Sequence, residues 1–258
     1  MLVISVILAA GRGTRMGSYK NKTTLSLFPE ETGYEYPIIL EILKNLPLGK
    51  RIIVVNYRKE DILRVTSKLD VTYCIQPVLN GTGGAVISAS ELIKETEMDY
   101  VLITVGDAPF VKRQTYLKLI DKLKEDDLVV LGFSSEDKRQ YGILEIEKNA
   151  VKRIIEWKVW KDLSIKEECL CNAGIYAVKK EILLRYIPVL SSRPHTVEKR
   201  INGRLRKIKE YFFTDIVEYM NKDGLKVGYV IAEKDEAMGI DDPDSLSYAR
   251  KIFISKRI

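Results

Sequence analysis

Residues 2–22 read LVISVILAAGRGTRMGSYKNK: an almost purely apolar run, then a loop of small residues, then cations in quick succession. Val3, Ile4, Val6, Ile7 and Leu8 are mostly β-branched and show no period-two alternation, the pattern of a strand covered on both faces in a parallel sheet. Gly11 and Gly13 let the backbone turn sharply and approach a ligand with no Cβ in between. Arg12, Arg15, Lys20 and Lys22 follow. A buried strand thus delivers flexible backbone and positive charge to one point, which suits a polyanion; a surface turn with solvated charges is the plainer alternative. The glycines at 11, 13 and 17 are spaced one residue too widely for the dinucleotide fingerprint, and no G-x-x-x-x-G-K-[ST] is present. A triphosphate remains the natural guest.

Outward from this stretch, strand and helix alternate. Pro37 opens a helix with an apolar face of Ile38, Ile39, Leu40, Ile42, Leu43 and Leu46. Residues 51–56 read as a second strand, 59–69 as a helix and 71–76 as a third strand. A second glycine-rich loop, QPVLNGTGG at 76–84, precedes a helix over 85–94. YVLITV at 100–105 is a fourth buried strand, followed at once by Gly106, Asp107, Ala108 and Pro109. A helix over 112–124 and a strand over 127–134 complete an alternation that predicts a parallel sheet with helices on both sides. Loops at the carboxyl ends of such strands share the ligand crevice, which groups 9–22, 76–84 and Asp107. Beyond them, 141–147, 151–158 and 170–178 are strand-like with few helices between; 225–232 is a last strand, and Pro243 starts a closing helix over 244–254.

With 258 residues, 46% hydrophobic and 30% charged, the chain can build one large α/β domain or a domain with a small lobe. No apolar run reaches the length of a membrane span, and the N-terminus lacks the basic start and small-residue cleavage site of a signal peptide. A cytoplasmic protein without a membrane partner is therefore expected. Cys74, Cys169 and Cys171 form no disulfide framework, and with His195 as the sole histidine a zinc site is not expected. The balance of 42 Lys plus Arg against 36 Asp plus Glu leaves +6, with the charges interspersed. A phosphate-rich substrate explains that as well as nucleic acid does. The most basic stretch, RPHTVEKRINGRLRKIK at 193–209, lacks interleaved aromatics. It reads as a solvated face, with a homodimer or acidic-partner surface as the sharper alternative and no nucleic-acid role expected.

LAAGRGTRM at 8–16, followed by Lys22, resembles the signature loop of sugar-phosphate nucleotidyltransferases, most closely the uridylyltransferase domain acting on N-acetylglucosamine 1-phosphate. The likeness runs from Leu2 to the final helix. It implies a Rossmann-like three-layer α/β/α nucleotide-diphospho-sugar transferase fold, glycosyltransferase-A-like, with a small mixed sugar-binding sheet. The whole of 1–258 would be a single domain: about 1–135 the nucleotide-binding half, about 136–235 the sugar-binding half and about 236–258 the closing helix. The implied reaction is attack by a sugar 1-phosphate oxygen on the α-phosphorus of a nucleoside triphosphate, releasing pyrophosphate. The attacking phosphate is already anionic, so neither a covalent protein nucleophile nor a general base is required. Repulsion between two polyanions is the obstacle, and positioning with charge neutralisation is the remedy.

On this resemblance Leu8, Ala9, Ala10, Gly11, Gly13 and Thr14 hold the nucleotide, with backbone amides of 11–14 around the triphosphate. Arg15 meets the pyrophosphate, and Lys22 the α-phosphate or sugar phosphate. Gln76, Gly81 and Thr82 grip the base, Gln76 offering the donor and acceptor pair that a uracil edge requires. Asp107 of the Gly-Asp-x-Pro step and Asp241 hold Mg2+. Gly142, Glu156 and Asn172 meet the sugar, while Trp157 and Trp160 serve packing. As residues alone, these positions keep plainer alternatives: a turn at 76–84, a helix cap at Asp107, a turn glycine, a surface acid and a strand-end amide.

Three positions depart from the pattern of the closest relatives. Val105 stands where they commonly carry an aromatic residue. Asn21 stands where most carry Pro, which predicts a less rigid approach for Lys22 and leaves Lys20 as its competitor. Asp241 stands where the acetylglucosamine enzymes carry Asn, while many other sugar nucleotidyltransferases carry Asp there. UTP and N-acetylglucosamine 1-phosphate are the implied substrates; cytidylyl, thymidylyl and guanylyl enzymes share the first loop, and a non-catalytic nucleotide-sugar-binding regulator is the alternative from another class. No hexapeptide repeats of an acetyltransferase β-helix occur up to Ile258, so acetyl transfer and its trimer are not expected.

Overall fold

A computed structural model of the chain describes residues 2–136, 140–160, 169–201 and 204–256, with the side chains of 199–204 outside that description. The first half runs β1 (Val3–Leu8), α1 (Ile38–Asn45), β2 (Gly49–Val55), α2 (Lys59–Thr66), β3 (Thr72–Ile75), α3 (Gly81–Ser88), α4 (Ser90–Lys94), β4 (Tyr100–Val105), α5 (Arg113–Lys122) and β5 (Leu128–Phe133). The second runs β6 (Ile143–Glu147), β7 (Ala150–Ile155), α6 (Trp157–Trp160), β8 (Cys171–Lys179), α7 (Lys180–Ser192), β9 (His195–Ile201), β10 (Arg204–Glu210), α8 (Asp215–Lys222), β11 (Val227–Ala232), α9 (Lys234–Ala237) and α10 (Pro243–Ser255).

The apolar run that opens the chain is buried because both its faces are covered. Ile4 and Val6 pack with Val54, Val86 and Ile103 beneath α3, α4, α7 and α8. Val3 and Ile7 pack on the other side with Ile39, Leu43, Ile62 and Tyr116 beneath α1, α2 and α5. Each such side chain contributes about 1.5–3 kcal/mol by leaving water, so neither face tolerates a polar residue and no alternation appears.

Among the described residues a nine-stranded sheet has the order β11-β5-β8-β4-β1-β2-β3, with β6 and β7 attached beside β8, and β9 and β10 pair with each other in a separate two-stranded sheet. β1 is parallel to both neighbours, with Leu8 opposite Val54 and Val105. The chain order reverses about β1, which opens a crevice at the carboxyl ends of β1 and β4. A third apolar cluster, including Met16, Leu27, Phe110, Ile240, Leu246 and Phe253, lies against α10. It anchors from behind the three segments that carry Arg15, Asp107 and Asp241. Asp242 caps α10 by accepting from Ser245 N–H at 2.8 Å, with Pro243 in the first turn.

Some elements differ from the sequence pattern. The sheet is mixed, because β8 enters antiparallel between β4 and β5. A strand buried on both faces reads alike in either direction, so the chain's return from the β6–β7 pair decides its sense. The strand expected over 151–158 stops at Ile155, and Trp157 begins a helical turn. The sequence pattern leaves 180–192 unassigned, and α7 forms there; Ile182, Leu183, Tyr186 and Leu190 are spaced for its buried face, although Pro188 interrupts the pattern. The basic run at 193–209 is largely the β9–β10 hairpin; the side chains of Lys199, Arg200 and Arg204 within it lie outside the described residues. Cys74 and Cys171 are buried and Cys169 is half-buried. Among the described residues no helix is long and apolar enough to cross a membrane.

Candidate active site

The loop after β1 is tied to its neighbours at three points. Ala9 N–H donates to Val54 O at 3.0 Å, Gly106 N–H to Leu8 O at 3.0 Å and Tyr57 N–H to Ala10 O at 3.3 Å. The Ala9 side chain packs in the core, so Ala9 presents only backbone to a ligand. Gly13 has φ 56°, and a Cβ there would stand 2.9 Å from Lys22 Cβ. Its small size therefore serves the close approach of Lys22. Among the described residues nothing accepts from the backbone N–H groups of Gly11, Arg12 and Gly13. They border a cleft of about 620 Å³ that also includes Leu8, Ala10, Thr14, Gln76, Gly81, Thr82 and Asp107.

At one end of this cleft four charged side chains converge. Lys22 Nζ donates to Asp107 Oδ2 and, at 3.0 Å, to Asp241 Oδ1. Arg15 Nη2 lies 3.0 Å from the same Asp241 oxygen, and its Nη1 donates to Gln140 Oε1 at 3.2 Å. Lys20 instead faces Glu35 at 3.7 Å, so it does not compete with Lys22 for this position. Nor is the approach of Lys22 loosened by Asn21, which is fully buried and holds φ at −61°, a value proline would impose. Burial alone would lower the Lys22 pKa, but the facing carboxylates outweigh it and hold the ammonium above its ordinary value. Burial pushes the Asp107 carboxyl upward against the pull of Lys22, and Asp241 adds to the rise.

The two carboxylates come together because Ile240 N–H donates to Asp107 O at 2.8 Å. A Cβ added at Gly239 would lie 3.4 Å from Asp107 Oδ1 and 3.6 Å from Asp241 Oδ2, so both carboxylates face space that a side chain there would fill. Among the described residues no group of three or more His, Cys, Asp or Glu could hold a metal. Two hard carboxylates fit Mg2+, which takes one or two from protein and completes its shell with water and phosphate oxygens.

The base-side residues are arranged differently from expectation. Gln76 Nε2 donates to Asn80 Oδ1 at 2.9 Å and to Gly81 O at 3.1 Å. Because a backbone carbonyl only accepts, this fixes which end of the amide is nitrogen. The donor and acceptor pair expected of Gln76 is thus reduced to its acceptor. Gly81 and Gly83 sit in the first turn of α3 rather than in a loop before it, and they make room for protein as well as ligand. A Cβ at Gly81, with φ 96°, would lie 2.4 Å from Tyr211 O, and one at Gly83 would lie 2.9 Å from the same atom. Gly83 N–H donates to Tyr211 O at 2.9 Å, Tyr211 N–H to Asn80 O at 2.8 Å, and Phe213 N–H to Thr82 Oγ1 at 3.2 Å. The segment leaving the β9–β10 hairpin is therefore stitched to the start of α3, which explains why Ile208 and Glu210 line the cleft. A run that looks solvated in sequence carried no signal for this, and Leu79, inside the second glycine-rich loop, was not singled out, whereas Arg12 lines the cleft beside the glycines as the first loop implied.

Gly142, Glu156 and Asn172 lie outside that cleft, at the junction of β6, β7 and β8. Asn172 N–H donates to Gly142 O at 2.8 Å, which joins two of the three. The Asn172 amide is engaged at both ends, with Tyr176 OH at 2.8 Å and Gly174 N–H at 3.0 Å. Glu156 Oε1 accepts from Thr214 Oγ1 at 2.6 Å. Burial pushes its carboxyl up despite that bond, and the nearby Asp215 and Glu210 add to the rise.

The sequence profile of the MobA-like NTP transferase domain matches residues 5–187. The chain is 28% identical over 255 residues to the bifunctional protein GlmU of Ruegeria sp. (strain TM1040), covering 96% of this chain and 52% of that protein. It is 30% identical over 261 residues to the bifunctional protein GlmU of Wolbachia sp. subsp. Brugia malayi (strain TRS), covering 98% and 57%. The chain thus spans about half the length of the curated relatives it matches. A solved structure of the uridine diphosphate N-acetylglucosamine pyrophosphorylase from Trypanosoma brucei in complex with an inhibitor has a TM-score of 0.73 at 12% identity, over 96% of this chain and 64% of that one. That likeness is one of fold, and the fold is the nucleotide-diphospho-sugar transferase architecture expected from the sequence.

Proposed function

The chain belongs to the MobA-like NTP transferase domain family, and on that premise we propose that it transfers a nucleotidyl group from a nucleoside triphosphate to a sugar 1-phosphate, with UTP and N-acetylglucosamine 1-phosphate as the preferred pair. The observation that carries this reading is the meeting of Arg15 and Lys22 with Asp107 and Asp241 beside a glycine-lined cleft. Cations there oppose the repulsion between two phosphate substrates.

The triphosphate lies along residues 11–14, where backbone N–H groups are available to it. An oxygen of the sugar phosphate attacks the α-phosphorus; that O–P bond forms as the bond to the bridging oxygen of the β-phosphate breaks, and the electron pair leaves with pyrophosphate. Arg15 follows the departing charge, and Lys22 turns from the carboxylates to the α-phosphate. Asp107 and Asp241 are the residues that would hold Mg2+, which when bound offsets phosphate charge. At the base, the Gln76 acceptor suits the N3–H of uracil. The same oxygen would accept from the amino group of cytosine, which makes a cytidylyltransferase the second reading.

A panel of nucleoside triphosphates against several sugar 1-phosphates, assayed with Mg2+ for pyrophosphate release, tests the proposal. The UTP and N-acetylglucosamine 1-phosphate pair should give the highest kcat/KM. Release with no pair at all would remove the transferase reading, and a preference for CTP would select the second.

A further inference from the structure

Lys22 follows a residue whose backbone shape proline could match, so the reason for asparagine lies in its hydrogen bonds. Asn21 N–H donates to Asp61 Oδ2 at 3.0 Å, and Asn21 Nδ2 donates to Tyr57 O at 2.7 Å. Its Oδ1 accepts from Thr23 N–H at 3.0 Å and from Thr23 Oγ1 at 2.9 Å. Its backbone carbonyl accepts from Thr24 N–H at 3.0 Å and Thr24 Oγ1 at 2.8 Å. Proline would keep the last two and lose the other four.

These bonds join Lys22 to the first loop by a defined route. Tyr57, whose carbonyl receives Asn21 Nδ2, gives its own N–H to Ala10 O at 3.3 Å. Asp61, in the first turn of α2 and 7% exposed, is held in turn by Arg58 Nε at 2.8 Å. Burial alone would raise the Asp61 carboxyl, but the bonds from Asn21 and Arg58 hold it below the usual carboxylate range. On the far side the segment is keyed into two glycines: a Cβ at Gly13 would lie 2.9 Å from Lys22 Cβ, and one at Gly106 2.9 Å from Thr23 Cγ2. Lys22 is therefore clamped between Tyr57 and Asp61 on one side and the loops after β1 and β4 on the other.

We propose that Asn21 and Asp61 are positioning residues that fix the backbone of Lys22 relative to the first loop, so that its ammonium reaches the reacting phosphate from a set origin. The proposal rests on the nucleotidyl-transfer reading, in which Lys22 meets the α-phosphate. Lysine has a long flexible stem, and its head is delivered accurately only when its Cα does not move; a displacement of about 1 Å can cost on the order of a hundredfold in rate.

Asn21→Pro, Asp61→Ala and Asp61→Asn test the clamp. Pyrophosphate release is measured for each, thermal unfolding confirms that each is folded, and amide hydrogen exchange is followed at Thr23 and Thr24. Asn21→Pro preserves φ but removes the N–H and the side-chain bonds, so kcat should fall more than tenfold while KM for the nucleotide stays within about threefold. Asp61→Ala should do the same and raise exchange at Thr23 and Thr24 at least tenfold. Asp61→Asn still offers an oxygen to Asn21 N–H and should keep kcat within about threefold of wild type. Wild-type kcat in Asn21→Pro, or equal losses in Asp61→Asn and Asp61→Ala, would overturn the proposal. If the wild-type chain released no pyrophosphate with any substrate pair, the transferase reading would fall, and exchange alone would decide: unchanged protection in Asp61→Ala refutes the clamp, and lost protection upholds it.

Discussion

Replacing Lys22 with Met removes the ammonium between Asp107 and Asp241 and keeps most of the side chain's volume. At 3.0 Å from Asp241 Oδ1 and an effective dielectric of about 20, one such pair attracts by about 5.5 kcal/mol before desolvation is counted. Deleting one partner of a buried pair costs about 3–5 kcal/mol, because the charges left behind are uncompensated. With side-chain exposures of 14%, 20% and 24% for Lys22, Asp107 and Asp241, the lower end, about 3 kcal/mol, applies. In a chain of 258 residues this lowers Tm by about 6–12 °C. Millimolar Mg2+ should restore most of that loss, because it supplies positive charge to the same two carboxylates. It cannot supply an N–H donor to the α-phosphate, so kcat should stay about 100- to 1000-fold below wild type, the usual cost of one preorganised donor at developing charge. Thermal unfolding with and without Mg2+, together with pyrophosphate release, measures both effects. Recovery of kcat on adding Mg2+ would show that Lys22 is only a counterion for the acidic pair. An unchanged Tm without metal would show that the carboxylates do not depend on it.

Gly81→Ala places a Cβ 2.4 Å from Tyr211 O at φ 96°, so it should destabilise the chain by about 2–4 kcal/mol in urea unfolding and raise KM for the nucleotide; full stability would mean that the Tyr211 segment is not held against α3. Glu156 has a folded-state pKa raised above its ordinary 4.5, so the folded chain binds the extra proton and ionised Glu156 opposes folding. That penalty is absent below the ordinary value and complete above the raised one. Glu156→Gln should therefore gain Tm relative to wild type as pH rises from 4.5 toward neutrality, and a relative loss over that window would refute the assignment of a buried, upward-shifted carboxyl.

Asn21 shows how local sequence can mislead about rigidity. Beside a family pattern with Pro it looks like a loosening, whereas in the fold it makes six hydrogen bonds. Gln76 shows the converse: a residue type able to read a base edge has both amide hydrogens committed to Asn80 and Gly81. Ile208 and Glu210 escaped notice because their neighbours in sequence are mostly charged, and only their seat beside α3 brings them to the cleft.

The sequence by itself determined the buried strand, the turn after it and the delivery of cations to its end, because each is written in residues adjacent along the chain. Full burial on both faces demands unbroken apolar side chains, and a tight turn demands glycine, whatever else the chain does. Tertiary structure alone decided that Lys22 rather than Lys20 reaches Asp107 and Asp241, that β8 runs antiparallel, and that Gly81 and Gly83 make room for Tyr211. These outcomes are set by contacts between segments far apart in sequence, where each partner's chemistry is visible but its neighbour is not.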